Sequence, residues 1–393
     1  MTSNPAGLLP LEDTRVREAY PVLKDVVYLN VGTYGIMPEP ALADFQSLQA
    51  DFERRGVASN HLFGRKAEET RQRIADLVGA SSADEIAFTR NATDGINLVL
   101  AGIDWQAGDE VITTDEEHEA MNNPLLYLHQ RKGLVVKRVQ VSPDAAVMTA
   151  RLDAVYSPKT RLVAMSFVTC ETGTRLPAHA ISDWAHAHKI LCLLDGAQVS
   201  GAIKINVAEI GCDYYTSNGH KWLSGPKGTG FFYGKLESLL KLTPAHVGAG
   251  SLKFVDLKTE EALPNDSGGR FEFGTRAWPL YAGLGCSLDW FDSLGWDNVY
   301  GHVAELSAQL KLLIQQRPYL RLLSPVPFEQ SSGLTAFVIE EHVAQEVSTA
   351  LRERWNIFTR VIPHYNALRI STAHFNNRED LDRLMFGLDQ IAG

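Results

Sequence analysis

The chain has 393 residues, more than twice the length of a typical domain, with 45% hydrophobic and 21% charged side chains, which excludes both a staple-dependent miniature module and a disordered chain. Its 37 Lys and Arg against 47 Asp and Glu leave a formal charge of −10, and with no basic run that balance argues against nucleic acid or an anionic membrane as partner. Four cysteines, Cys170, Cys192, Cys212 and Cys286, form no CxxC pair, so neither a disulfide framework nor a zinc site is expected and a reducing, cytoplasmic setting is. The first twenty residues do not read as a signal peptide, and nowhere do about 18 apolar residues run together as a membrane span requires.

In chain order, residues 67–233 alternate amphipathic helical stretches with short apolar runs, the pattern of an α/β domain on a largely parallel sheet. Strands are predicted at 85–89, 110–113, 134–139, 162–168, 190–194, 214–217 and 230–233, with helices at 67–78, 94–100, 119–130 and 178–188 between them. A Gly- and Pro-rich stretch at 262–276 ends the alternation. Beyond it, helices at 280–294, 303–315, 343–354 and 378–391 accompany strands at 334–339 and 368–371, which reads as a smaller α+β unit. The expected division is an N-terminal segment 1–30 packing near the small domain, a large domain 31–276 and a small domain 277–393.

Four segments carry chemistry. Lys221, in Asn218-Gly-His-Lys221, lies just past a predicted strand among glycines that let a backbone approach a ligand closely. A lysine buried there deprotonates readily and can form a Schiff base; the alternative is an ordinary loop lysine. The run 190–194 ends in Asp195-Gly-Ala-Gln198, and a carboxylate at the C-terminal end of a parallel strand faces the ligand crevice, unless it only caps the next helix. The segment 89–97 joins a strand to a helix whose first N–H groups form an anion site beside the Thr93 hydroxyl, with simple capping by Asn91 or Thr93 as the alternative. His118, after the strand 110–113, could stack on a planar ring or be purely structural, and Tyr34 and Trp278 are candidates for a substrate wall or for packing. The glycines at 225–230 are spaced GxxGxG, not as a P-loop, and neither GxSxG nor HExxH occurs.

Together these segments resemble the class V aminotransferase family of pyridoxal 5'-phosphate enzymes, over nearly the whole chain. The match rests on Asn218-Gly219-His220-Lys221 followed by Gly225-Pro226 and Gly228, on Asp195 with Gln198, and on Glu117-His118. The resemblance implies the fold-type I architecture, a large mostly parallel sheet domain with a smaller α+β C-terminal domain. It makes Lys221 the Schiff-base lysine, Asp195 the partner of the pyridinium nitrogen, Gln198 a partner of the phenolic oxygen and His118 the stacking ring. By the same resemblance the phosphate cup uses Ala92, Thr93, Asn218 and His220, with Thr275 reaching across from a second subunit, which implies a homodimer with shared active sites. Asn218 stands where the family has Ser or Thr, and Cys170 where many relatives carry Asn near the phenolic oxygen, its alternative being a buried small thiol. Arg369 matches the family arginine that grips the substrate α-carboxylate.

Proton loss from the α-carbon of an amino acid leads, within this family, to β-elimination, transamination or epimerisation. Desulfurases of the family instead use a mobile-loop cysteine to attack the substrate sulfur. The segment 358–366 before Arg369 holds no cysteine, so that route is the one least expected. The stretches 102–109 and 219–222 look most like the branch of cystine C–S lyases and isopenicillin N epimerase. The expectation is a C–S lyase acting on a cysteine-derived amino acid, with an aminotransferase or an epimerase-like enzyme as the alternative and a cofactor-less binding protein further off.

Overall fold

The structure is a computed structural model that describes Leu11 and residues 14–393; most of the first dozen residues of the expected N-terminal segment lie outside the described residues. The chain opens with a short helix α1 (Thr14–Glu18), a two-residue strand β1 (Val27–Tyr28) and two long helices, α2 (Glu39–Arg55) and α3 (Asn60–Val78). It then alternates through β2 (Ile86–Thr89), α4 (Ala92–Gly102), β3 (Glu110–Thr114), α5 (Glu119–Lys132), β4 (Val135–Val139), α6 (Ala145–Val155), β5 (Thr160–Ser166), α7 (Ala178–Ala187), β6 (Leu191–Asp195), α8 (Val207–Ile210), β7 (Tyr214–Asn218), β8 (Gly230–Gly234) and α9 (Leu236–Leu239). These seven strands from β2 to β8 form one sheet in the order β2-β8-β7-β6-β5-β3-β4. All its pairs are parallel except the two made by β8, which runs antiparallel to both β7 and β2.

Successive side chains of a strand face opposite sides of a sheet, and both sides are apolar here. Cys192, Leu194 and Tyr215 pack with Ile74 of α3, Met148 of α6 and Ile181 of α7, whereas Leu193 and Tyr214 pack with Ile96 and Val99 of α4 and Met121 of α5. Burial on both faces explains why the strands read as continuous apolar runs. The C-terminal ends of the parallel strands place Ser166, Asp195 and Asn218 in one row, and the turn after β3 adds Glu117 and His118.

After an exposed hairpin, β9 (Leu252–Asp256) and β10 (Glu261–Pro264), come α10 (Trp278–Leu294), α11 (Trp296–Gln315), β11 (Leu320–Leu322), β12 (Leu334–Ile339), α12 (Ala344–Trp355), β13 (Ile357–Phe358), β14 (Arg360–Ile362), β15 (Ala367–Ser371) and α13 (Arg378–Ala392). An antiparallel sheet of order β11-β12-β15-β14 is covered by α11, α12 and α13 through Leu310, Leu351 and Leu384. The N-terminal strand joins this part: β1 pairs in parallel with β13, and Val27 and Leu29 sit in the same apolar cluster. Helix α10 packs instead on α2 and α3.

The expected strands and helices are present with ends shifted by one or two residues, apart from α3, which begins seven residues before the predicted helix, and α11, likewise extended at its start. Besides the short α1, α8 and α9, two longer helices, α2 and α6, were not anticipated. Ala41, Phe45, Leu48 and Phe52 give α2 a helical spacing, but only Ala41 is fully buried, because one side of the helix meets α10 and the rest faces outward. Only Met148 and Leu152 of α6 are buried, so its apolar residues mark no clear face. The stretch 262–276, expected to lack strands, contributes its start to β10.

Helix α4 lies against the large sheet at Gly95, where an added Cβ would stand 2.1 Å from Thr216 Oγ1 on β7. In an exposed helix Gly→Ala gains up to about 1 kcal/mol, but overpacking costs about 1–3 kcal/mol. Gly95→Ala is therefore expected to lower the thermal unfolding midpoint by several degrees; an unchanged or higher midpoint, read by circular dichroism, would contradict this close contact.

Candidate active site

Between the two sheets lies a cavity of about 840 Å³, an ordinary size for a cofactor pocket. Ala92, Thr93, His118, Cys170, Asp195, Gln198, Asn218, His220, Lys221 and Arg369 all line it, brought there from six places along the chain. Thr275 does not: it is exposed on the segment anchored by Glu272, whose carboxylate is paired with Arg71 and Arg276. Trp278 lines a separate cleft with Arg276, which removes it from the substrate wall, while Tyr34 does line the cavity.

Lys221 sits in a tight turn. Ser224 N–H donates to Lys221 O, Gly225 N–H to Gly219 O, and Ser224 adopts a left-handed φ of 53°. From the N-terminal loop Gly35 N–H donates to His220 O, and a Cβ on Gly35 would fall 2.0 Å from Lys221 O, so only glycine can lie across this turn. Lys227 Nζ closes the arrangement by donating to Gly35 O at 2.6 Å. Among the described residues no group hydrogen-bonds Lys221 Nζ. Burial, aided by the Arg369 and Arg360 charges and opposed by Asp195, pushes its amine down to about 8.

Asp195, 4% exposed, accepts from Ala197 N–H through Oδ1 and is pushed up by burial, with Ala197, Lys221 and His118 pulling it back. His118 caps α5, its Nδ1 accepting from Ala120 N–H at 3.0 Å, so a neutral ring carries its proton on Nε2. Burial and the Lys221 charge lower its pKa and favour that neutral form. Beneath it Glu117 accepts from Ser166 N–H, Ser166 Oγ and Thr114 Oγ1, and burial raises it to about 6. Gln198 is fixed by two bonds, Nε2 donating to Gly32 O and Oε1 accepting from the buried indole of Trp222. One amide N–H of Gln198 is left for a ligand.

At the start of α4 the arrangement differs from the sequence expectation. The Ala92 N–H is already committed to Asn218 Oδ1 at 3.0 Å, and the Asp94 N–H to Asn91 Oδ1 at 2.9 Å. The longer side chain standing where the family has Ser or Thr reaches the helix end and takes the donor expected of Ala92. The groups left to donate to an anion are Thr93 N–H and Oγ1 and the Asn218 amide; His220, whose Nδ1 donates to Thr229 O, offers Nε2 as a donor only when its ring is protonated. Cys170 presents its carbonyl, which accepts from Arg369 Nη1 at 2.5 Å, while burial pushes its thiol up to about 12.

Arg369 lies on β15, 4% exposed, with Nη2 only 3.4 Å from Thr33 Oγ1 and a buried Nε that has no partner. Burial lowers its pKa to about 10, and among the described residues no carboxylate pairs with it. Sequence reasoning missed Arg360, which lines the cavity from β14 directly opposite Arg369. Its one signal was a charged residue inside a strand-like run. Like charges directly opposite on a sheet repel, so the pair makes this wall a receptor for anions.

The model of the class V aminotransferase family matches residues 40–384. The chain belongs to that family. A cysteine desulfurase of Klebsiella pneumoniae (strain 342) is 32% identical to it over 96% of this chain and 97% of that one. Among solved structures, a lysine-to-alanine variant of C-DES with glycine covalently linked to its PLP cofactor superposes with a TM-score of 0.87 at 28% identity, covering 95% of this chain and 98% of that one. The cystine C–S lyase C-DES with its reaction product cysteine persulfide gives 0.86 at 28% identity, covering 94% and 98%.

The donors of this class V chain fit pyridoxal 5'-phosphate: an unpaired amine, a buried carboxylate with one oxygen free of protein partners, a fixed amide, a neutral imidazole and a helix-start anion site converge on one cavity. Because Lys221 is neutral above about pH 8, the apoprotein treated with pyridoxal phosphate and borohydride is expected to be labelled at Lys221 with a midpoint near 8, against about 10 for surface lysines. Peptide mass spectrometry that finds the label elsewhere, or a midpoint near 10, would contradict the burial of this amine.

Proposed function

We propose that the protein is a β-eliminating C–S lyase that acts on a cysteine-derived amino acid bearing a second carboxylate, with cystine the simplest such substrate. The observation that carries this reading is Arg360 opposite Arg369: two guanidinium groups on one wall, the buried one without a carboxylate. Arg369 takes the α-carboxylate, for which its orphaned Nε and its Nη groups offer the fork that a carboxylate matches. Arg360, exposed at the mouth, takes the distal carboxylate.

Bound pyridoxal phosphate would supply the electron sink that makes the α-proton removable. Lys221 and His118 would hold it in place with Asp195 and Gln198, and Thr93, Asn218 and His220 would bind its phosphate. Lys221 Nζ, neutral near pH 8, takes the α-proton. The Cβ–Sγ bond then breaks with its electron pair going to sulfur, releasing cysteine persulfide from the distal half. The remaining carbon skeleton leaves as 2-aminoacrylate, which hydrolyses to pyruvate and ammonia. No keto acid is consumed.

A relay of sulfur through a protein thiol is disfavoured by the same cavity. The turn after β14, Pro363–Tyr365, carries no cysteine, and the one thiol among the lining residues, Cys170, is held protonated by burial. A homodimer with shared sites belongs to the proposal, supported by exposed Val247, Phe254, Val255, Leu257, Leu263 and Phe273 close in sequence to Thr275.

Incubation of the loaded enzyme with cystine is expected to release pyruvate, ammonia and persulfide without added keto acid. Arg360→Met is expected to raise KM for cystine about tenfold while leaving S-methylcysteine nearly unaffected. A requirement for a keto acid, or α-deuterium exchange with racemisation and no pyruvate, would replace elimination by transamination or epimerisation.

A further inference from the structure

The strand that carries Arg360 is poorly fixed by its own sheet. β14 is three residues long, lies at the sheet edge and pairs only with β15. The turn that follows it, Pro363–Tyr365, is pinned at its far end by Asn366, whose side chain accepts from Ala344 N–H and donates to His342 O, both within the small unit. From the same end of the turn one side chain reaches over to the large-sheet side, beside the cavity: Tyr365 O–H donates to Glu116 Oε1 at 3.0 Å. Glu116 is 5% exposed and immediately precedes Glu117 and His118. Its second oxygen accepts from Thr172 Oγ1 at 2.7 Å, and Thr172 is bonded in turn to the hydroxyls of Thr169 and Thr174.

Glu116 thus joins three walls of the site: the turn bearing His118, the threonine loop that offers Cys170 O to Arg369, and the small-sheet turn behind Arg360. No cation pairs with it among the described residues, so its charge is spent on two hydroxyl donors. Burial and the Glu116 charge raise the Tyr365 phenol, which keeps it a donor.

We propose that the Tyr365–Glu116 hydrogen bond is a clasp beside the cavity, tying the small-sheet turn to the large-sheet turn, that holds Arg360 at its working distance from the large-sheet side. Both are positioning residues for substrate binding and take no part in proton transfer. The effect on substrate rests on the lyase reading; the clasp itself does not.

Tyr365→Phe removes one hydroxyl and leaves the packing. Amide hydrogen exchange of the loaded enzyme over residues 360–366 is expected to quicken on the order of tenfold, the worth of one hydrogen bond to a charged group. KM for cystine is expected to rise about as much with kcat within about twofold. Glu116→Gln, which keeps one acceptor oxygen but not the charge, is expected to fall between the parent and Tyr365→Phe, and adding Glu116→Leu to Tyr365→Phe to quicken exchange at 360–366 no further. Unchanged exchange in Tyr365→Phe, additive effects in the double variant, or a fall in kcat at constant KM would overturn the clasp. Absence of cystine turnover in the parent would overturn the lyase reading instead, and the exchange data would still decide the clasp.

Discussion

A guanidinium buried without a carboxylate is the constraint around which this molecule is arranged. Burying an ion costs on the order of several kcal/mol unless it is paired, and among the described residues Arg369 has only a carbonyl, a distant hydroxyl and an Nε without a partner for company. The small sheet must be stable enough without help from this residue, and the apolar cluster joining β12, β15, α11, α12 and α13 supplies that stability. What the fold leaves uncompensated is a buried positive charge, which on the proposed reading the substrate carboxylate completes.

Around that receptor the two sheets divide the work. The large sheet presents donors and acceptors at the carboxyl ends of its parallel strands, where backbone geometry alone gathers Ser166, Asp195 and Asn218 into a row. The small sheet presents two positive charges, Arg360 and Arg369, beside apolar Val361 and Ile362. Lys221 lies between them in a turn stiffened from three sides, and its lowered pKa is a direct consequence of burial near two arginines. The N-terminal loop ties the halves together: Gly35 lies on the Lys221 turn, Gly32 O fixes Gln198, and Leu29 O accepts from Ser371 N–H beside Arg369.

The sheet and most of the site were legible in the sequence because each rests on local signals. A strand buried on both faces is a continuous apolar run, and Asp195 stands where such a run stops. Lys221 announced itself through its glycines. Arg360 escaped notice because its meaning depends on register: nothing local says that it faces Arg369 across two strands. The commitment of the Ala92 N–H to Asn218 was hidden for a similar reason, since the two residues are 126 apart and meet only because β7 ends beside the start of α4. Glu116 and Tyr365, 249 apart, meet only when the two sheets face each other.

The role of Arg369 as the carboxylate anchor is tested most directly by comparing the affinity of an S-alkylcysteine with that of its decarboxylated amine, in the parent and in Arg369→Met. The expected result is a preference for the carboxylate on the order of a hundredfold in the parent and none in the variant. A preference that survives unchanged in Arg369→Met would show that the carboxylate binds elsewhere and would contradict the whole arrangement.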